Sequence, residues 1–153
     1  MRVKLFPFRE VISQYPMNTA FGIWWLVFSG LAVAQARFGK IEGSPSAIAN
    51  FNIIEIYILA FLWFFSGTMI LVALYLKEPR LDRYYQRRKW AYTSAIIAGG
   101  LYVFRSSQLA PLDYMAIGFG MLQLSVGFFS LISVIIIERR KRALLMGGEV
   151  NGG

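Results

Sequence analysis

Residues 53–76 read IIEIYILAFLWFFSGTMILVALYL, and the composition of this segment indicates the fold class. Its only charged residue is Glu55, close to the beginning. About 20 consecutive apolar residues in a helix cross the hydrocarbon core of a bilayer. A helix also satisfies every backbone polar group within its own segment, as lipid requires. The stretch therefore predicts a membrane-spanning helix.

Three further apolar stretches lie at residues 19–36, 90–104 and 113–137. The one at 90–104 is the shortest and contains Gly99 and Gly100. Apart from Glu55 and Asp113, each at the beginning of a stretch, no charged residue lies within the four. The sequence thus predicts an all-α integral membrane protein with four transmembrane helices in two hairpins.

The positions of lysine and arginine predict the orientation of these helices, because positive residues stay on the cytoplasmic side. All but Arg37, Lys40 and Arg105 of the 16 lysines and arginines lie before the first span, between the second and third, or after the fourth. Both termini are therefore predicted to be cytoplasmic. Residues 1–18 then form an interfacial segment, 19–137 the transmembrane domain and 138–153 a basic tail. The predicted location is the inner (cytoplasmic) membrane or another energy-converting membrane.

The first span has one alternative interpretation, a cleaved signal peptide. Ala34-Gln35-Ala36 resembles the small-residue pattern at which such peptides are cut. The segment before the span is long and contains Pro7 and Pro16, unlike a short basic leader. Retention of the first span is therefore the favoured interpretation.

The composition restricts the possible chemistry. Of the 153 residues, 57% are hydrophobic and 16% are charged, and the mean hydropathy is +0.53. The chain has no cysteine and no histidine, so it offers neither thiolate nor imidazole to a metal, a haem or a nucleophilic mechanism. We therefore expect no metal, no ligated cofactor and no catalytic residue. A lipid, quinone, carotenoid or chlorophyll is expected only as a molecule bound through partners.

Charged residues near the predicted outer face allow two interpretations. They are Arg37, Glu55, Arg105 and Asp113, one acidic and one basic residue for each hairpin. Ionisable groups at membrane depth are functional candidates for proton or cation binding. Neither acid lies deep in a span, so capping of helices or pairing with the nearby arginines is the favoured interpretation.

Trp63, Phe64 and Phe65 lie about halfway along the second span, away from the interfaces where tryptophan is common. Aromatic residues at this depth suit contact with a lipid, a quinone tail or a pigment. Packing within the bundle explains them as well, and we favour it.

Small residues recur at four-residue spacing in three of the spans, a pattern that permits close helix contact. Such contacts serve either internal packing or docking of another subunit. The residues are Gly30 and Ala34 in the first span, Ala91, Ala95 and Gly99 in the third, and Ala116 and Gly120 in the fourth.

Two basic stretches flank the spans, and a net charge of +8 raises the question of nucleic acid. Next to membrane spans, such residues are better explained as topology determinants that attract anionic lipid headgroups. The predicted headgroup residues are Arg87, Arg88, Lys89, Arg139, Arg140, Lys141 and Arg142. Other integral membrane subunits and anionic lipids are thus the expected partners, and nucleic acid is not.

The function predicted from these features is a non-catalytic accessory or scaffold subunit of a multi-subunit membrane complex. An energy-converting assembly, whether respiratory, photosynthetic or monooxygenase, is one class of parent complex, and a secondary transporter is the alternative. For the alternative, the chain resembles the small four-span membrane subunit of tripartite ATP-independent periplasmic transporters. The resemblance rests on a Gln/Arg, Glu, Trp, Gly order at Gln35, Arg37, Phe38, Glu55, Trp63 and Gly67. It implies a subunit that braces the large transport subunit.

Overall fold

The computed structural model describes residues 12, 15–38, 51–75, 81–108 and 114–148. Four α-helices make up almost all of this part of the chain, which contains no strand. Helix α1 is Pro16–Phe38, α2 is Ile53–Tyr75, α3 is Leu81–Ser107 and α4 is Tyr114–Gly148. The predicted all-helical fold is confirmed at this level.

Local sequence explains where the first two helices begin. Proline suits the first helical position because its fixed backbone angle matches the helix, and α1 begins at Pro16. Asn52 and Glu55 form a reciprocal capping box at the beginning of α2. The Glu55 backbone N–H donates to Asn52 Oδ1 at 2.9 Å, and the Asn52 N–H donates to Glu55 Oε2 at 2.9 Å.

Three of the four helices are long and apolar enough to cross a membrane: Pro16–Phe38, Ile53–Tyr75 and Tyr114–Leu144. This agrees with a multi-pass membrane protein. Helix α3 differs because its first turns are basic and its apolar part is short. One side of that apolar part is covered by the other helices, with Ala91, Tyr92, Ala95 and Tyr102 almost completely buried. The other side is exposed and consists of Trp90, Ile97, Leu101 and Phe104.

Consecutive helices pack against each other in antiparallel order. A Cβ atom at Gly67 would meet Gly22, and Ser29 contacts Ala60, so α1 and α2 run in opposite directions. The pairing of α2 with α3 and of α3 with α4 follows the same rule. All four helices thus run alternately up and down, as short connections favour.

Aromatic rings fill the centre of the bundle. Trp63 on α2 lies beside Phe28 of α1 and Tyr102 of α3, with ring centroids 5.8 Å and 6.2 Å away. Phe119 of α4 completes the cluster at 5.0 Å from Phe28 and 5.6 Å from Tyr102. These rings connect all four helices.

Buried hydrogen bonds also join the helices at membrane depth. Ser29 Oγ donates to the Ala60 carbonyl at 2.8 Å between α1 and α2. The hydroxyls of Ser66 and Ser94 are hydrogen-bonded to each other between α2 and α3. Such bonds contribute about 1 kcal/mol each in membrane bundles.

Candidate functional site at the basic end of the bundle

The antiparallel order brings two basic segments of the sequence to one end of the bundle. The first turns of α3 and the last turns of α4 lie there, and we call this the basic end. Its described basic residues are Arg83, Arg87, Arg88, Lys89, Arg139, Arg140, Lys141 and Arg142. The structure therefore brings together the residues that the sequence assigns to lipid headgroups, but it gives them different surroundings.

Arg88 points into the bundle and is only 9% exposed. Its guanidinium donates to Tyr84 Oη at 3.2 Å and to Tyr92 Oη at 3.4 Å. Tyr92 Oη in turn donates to Asn18 Oδ1 of α1 at 3.0 Å. Arg88 thus connects α3 to α1 and does not present its charge to a headgroup, in contrast to its sequence-based assignment.

Lys89 and Arg142 both pair with Glu138, the only acidic residue in the described part of α4. Lys89 Nζ contacts Glu138 Oε2, and Arg142 Nη2 lies 2.7 Å from Glu138 Oε1. The Glu138 side chain is 8% exposed and lies one residue beyond the predicted span at 113–137, outside the apolar part of α4. Burial alone would raise the pKa of Glu138, but the hydrogen bonds from Lys89 and Arg142 outweigh it and hold the pKa below the ordinary 4.5.

Replacement of Glu138 by glutamine should reveal this network through pH. The folded protein ionises Glu138 more readily than the unfolded chain does, so the ion pairs stabilise the fold above about pH 4.5. Their contribution is lost as the pH falls below that value through the folded pKa. We expect Glu138→Gln to lower the free energy of unfolding by about 1 kcal/mol at neutral pH, since Lys89 and Arg142 are partly solvated.

The measurement is thermal unfolding in detergent between pH 7 and about pH 3. The difference between Glu138→Gln and the wild type should shrink as the solution is acidified. Arg140→Gln removes an exposed charge from the same end and serves as the control, with no comparable pH dependence. A difference that stays constant over the whole range would contradict the role assigned to Glu138.

A groove of about 490 Å³ runs between α2 and α3 at the basic end. Phe65, Met69 and Trp90 form its apolar part, and Arg83, Gln86 and Arg87 its polar part. A second groove, of about 480 Å³, lies on the other side of Trp90 against α4 and includes Glu138 and Arg142. Trp90 and Gln86 therefore line both grooves, and each groove has an apolar part and a charged part.

The opposite end of the bundle holds the predicted interfacial charges that the structure describes. Arg105 Nε lies 3.4 Å from Glu55 Oε2, which joins the end of α3 to the beginning of α2. Glu55 is also the capping residue of α2. Arg37 lies in the last turn of α1 at the same end. Asp113 lies outside the described residues. Capping and pairing thus account for the position of Glu55 without a transported ion.

The three consecutive aromatic residues of α2, at positions 63–65, differ in burial. Trp63 is completely buried, and its indole N–H donates to Gln123 Oε1 of α4 at 3.2 Å. Phe64 is 54% exposed and Phe65 is half-buried. Phe61 is also exposed and stacks on Phe65 with centroids 6.2 Å apart. Contact with a bound lipid, quinone or pigment is therefore open to Phe61, Phe64 and Phe65 but not to Trp63.

The small residues predicted for helix contact also divide into two groups. Ala91, Ala95, Gly99, Ala116 and Gly120 are buried. A Cβ atom on Gly99 would lie 3.0 Å from the Leu124 backbone nitrogen, and one on Gly120 would lie 3.1 Å from the Val103 backbone nitrogen, so these two glycines pack α3 against α4. Gly30 is exposed, with no atom of the described part of the chain within 4 Å of an added Cβ, and Ala34 is half-buried. These two belong to an outward face of α1 with Ile23, Val27 and Leu31, which we call the open face.

Several residues with structural roles were not singled out by the sequence analysis. Gly22 approaches Gly67 between α1 and α2, and Gly127 approaches α3. Ser29, Ser66, Ser94 and Gln123 supply the buried hydrogen bonds. Their common feature is a small or polar side chain inside an apolar helix, which marks the buried side when every face is hydrophobic.

The described residues contain no group of three or more histidine, cysteine, aspartate or glutamate side chains able to hold a metal ion. Comparisons with protein-family models, curated proteins and solved structures gave no match to this chain.

Proposed function

We propose that all four helices cross the membrane and that both termini are cytoplasmic. Helix α3 has 27 residues, or about 40 Å at 1.5 Å per residue, which is long enough to cross. Its apolar turns pack between α2 and α4 over their length. The basic end then faces the cytoplasm, as the distribution of positive charge favours.

The absence of native cysteine permits a direct test of this topology. Ser107 and Ala143 are exposed and lie at opposite ends of the bundle. With four spans, Ser107→Cys should react with a membrane-impermeant maleimide in intact cells, and Ala143→Cys only after permeabilisation. If α3 does not cross, α4 begins in the cytoplasm and the two results are exchanged. Permeabilised samples of both variants control for intrinsic reactivity.

We further propose that the protein is a non-catalytic scaffold subunit of a larger membrane complex, held to its partners through the open face of α1. The main observation behind this proposal is that the helix faces with small residues differ in burial. Those of α3 and α4 are buried inside the bundle, whereas Gly30 is exposed and Ala34 is only half-buried. A small-xxx-small face lets another helix approach closely, and van der Waals packing then stabilises the pair in lipid.

An energy-converting assembly is the class of parent complex that we favour. Phe61 and Phe64 are exposed on α2, with Phe65 beside them, and form an aromatic surface toward the lipid. Flat conjugated molecules such as quinones and pigments pack well on such rings. The chain would contact such a molecule without ligating it, as a neighbouring subunit supplies the ligands.

Purification from native membranes in a mild detergent tests the proposal. Co-purification of integral membrane subunits with haem or pigment absorbance would support the energy-converting class. Co-purification of a periplasmic solute receptor and a large permease would instead favour the secondary-transporter alternative, and the role would still be scaffolding. A monodisperse monomer without partners would contradict the subunit proposal altogether.

A further inference from the structure

We propose that the groove between α2 and α3 at the basic end binds one anionic glycerophospholipid. Its phosphate would lie against Arg83 and Arg87, and an acyl chain would lie along Trp90, Met69 and Phe65. This inference rests on the basic end facing the cytoplasmic leaflet, but not on any partner subunit. It identifies a defined lipid site, which neither the scaffold role nor a general attraction of basic residues for headgroups requires.

The groove changes from charged to apolar along the direction that a lipid would take. Arg83 and Arg87 are one helical turn apart on α3 and line the same groove. Trp90 follows Arg87 by three residues and thus lies about 4.5 Å deeper along the helix. Met69 and Phe65 precede the end of α2 at Tyr75 by six and ten residues, which places them about 9 Å and 15 Å deeper.

The charge of the groove favours an anion. Each guanidinium offers five N–H donors in a planar arrangement that matches phosphate oxygens, so it can contact a phosphate in addition to its other contacts. The side chain of Gln86 also lines the groove and adds a neutral donor. Among the side chains that the structure describes, none that lines this groove is acidic, whereas Glu138 lines the second groove and would repel a phosphate there.

The immediate neighbours of Arg87 show why the site is specific. Consecutive helical residues point about 100° apart. Arg88 is therefore turned into the bundle toward Tyr84 and Tyr92, and Lys89 is turned toward Glu138. Arg87 alone of these three lines the groove. The anionic leaflet lipids of a cytoplasmic surface supply the complementary charge.

The test uses the full chain in detergent, mixed with equal amounts of phosphatidylglycerol and phosphatidylcholine of the same acyl chains. Native mass spectrometry then reports which lipid stays bound. We expect the wild type to retain one phosphatidylglycerol in preference to phosphatidylcholine. The Arg83→Gln/Arg87→Gln double variant should bind phosphatidylglycerol about thirtyfold more weakly, as expected for loss of two cationic contacts. The Arg139→Gln/Arg140→Gln variant removes the same charge from exposed positions of the same end and should bind as the wild type does.

Two further measurements keep the test decisive if the double variant folds poorly. Gln86→Glu changes one exposed residue and should weaken phosphatidylglycerol binding by placing a negative charge in the groove. Soluble glycerol phosphate carries the anion without acyl chains and should fail to displace the lipid. Equal retention of the two lipids by the wild type would overturn the proposal. So would equal losses in the two double variants, no effect of Gln86→Glu, or ready displacement by glycerol phosphate.

Discussion

Replacing Trp63 with alanine is expected to destabilise the bundle by about 3–5 kcal/mol, the range for removing a large buried aromatic side chain. Trp63 is completely buried and contacts Phe28 and Tyr102, so the variant leaves a cavity between three helices. It also removes the hydrogen bond to Gln123, whose amide nitrogen has no hydrogen-bond partner among the described residues. The free energy of unfolding can be measured by SDS titration in mixed micelles, followed by far-UV circular dichroism.

Phe64→Ala is the matched control, because Phe64 is the next residue and 54% exposed. Its removal should change the free energy of unfolding by about 0.5 kcal/mol or less, as for most surface substitutions. Similar losses for Trp63→Ala and Phe64→Ala would mean that α2 presents a different face to the bundle. That result would contradict the central packing described above.

Replacing Gly67 with alanine is expected to cost about 1–3 kcal/mol through overpacking. A Cβ atom at Gly67 would lie 2.6 Å from the Gly22 backbone oxygen and 2.8 Å from Leu26 Cγ. A backbone oxygen cannot rotate away as a side chain can, so α1 and α2 must separate. The same titration measures the loss, together with cross-linking of α1 to α2 through engineered cysteines.

Gly118→Ala provides the control for the change in helix propensity. Gly118 lies within α4, is exposed and has nothing within 4 Å of an added Cβ. Alanine there should be neutral or stabilising by up to about 1 kcal/mol, since glycine is the poorer helix former. The difference between the two variants isolates the clash. If Gly67→Ala is as stable as Gly118→Ala, α1 and α2 are not as close as the structure has them.

The helices themselves follow from the sequence, because length and apolarity set them. The apolar stretch at 53–76 corresponds to α2 within one residue at its end. The capping pair Asn52 and Glu55 fixes where α2 begins. Helix α4 continues beyond the predicted end of the fourth span at residue 137 and carries Arg139 to Arg142 in helical form to Gly148. Apolarity marks only the part that suits lipid, so it does not show where the helix ends.

Which face of a helix is buried is harder to predict here. Helix α2 is apolar on every side, so hydrophobic periodicity does not distinguish Trp63 from Phe64. Small and polar residues mark the buried side instead, as Ser66 and Gly67 do. The basic run at 87–89 presents the opposite difficulty. Its three basic residues are consecutive in the sequence, but consecutive helical residues point in different directions. They therefore face the groove, the interior of the bundle and Glu138, respectively.

The contact between α1 and α2 could not be foreseen from small-residue spacing either. Gly30 and Ala34 have the spacing that predicts close contact, yet Gly30 is exposed and Ala34 is only half-buried. Gly22 and Ser29, seven residues apart, form the internal contact with α2. Both of these faces of α1 contain the small residues that close packing of helices requires. Only the positions of the other helices decide which one is used internally.

Gly30→Leu tests the proposal that the open face of α1 docks another membrane subunit. Leucine at this position meets no atom of the described residues within 4 Å of its Cβ, so the fold should remain as stable as the wild type. Gly118→Leu places the same side chain at an equally open position of α4 and serves as the control.

The measurement is quantitative mass spectrometry of integral membrane proteins that co-purify with the wild type and the two variants from native membranes. We predict that the wild type and Gly118→Leu retain the same partners and that Gly30→Leu loses them while keeping its helical content and melting temperature. Retention of the full set of partners by a stable Gly30→Leu variant would contradict the claim, as would a wild-type protein that purifies alone.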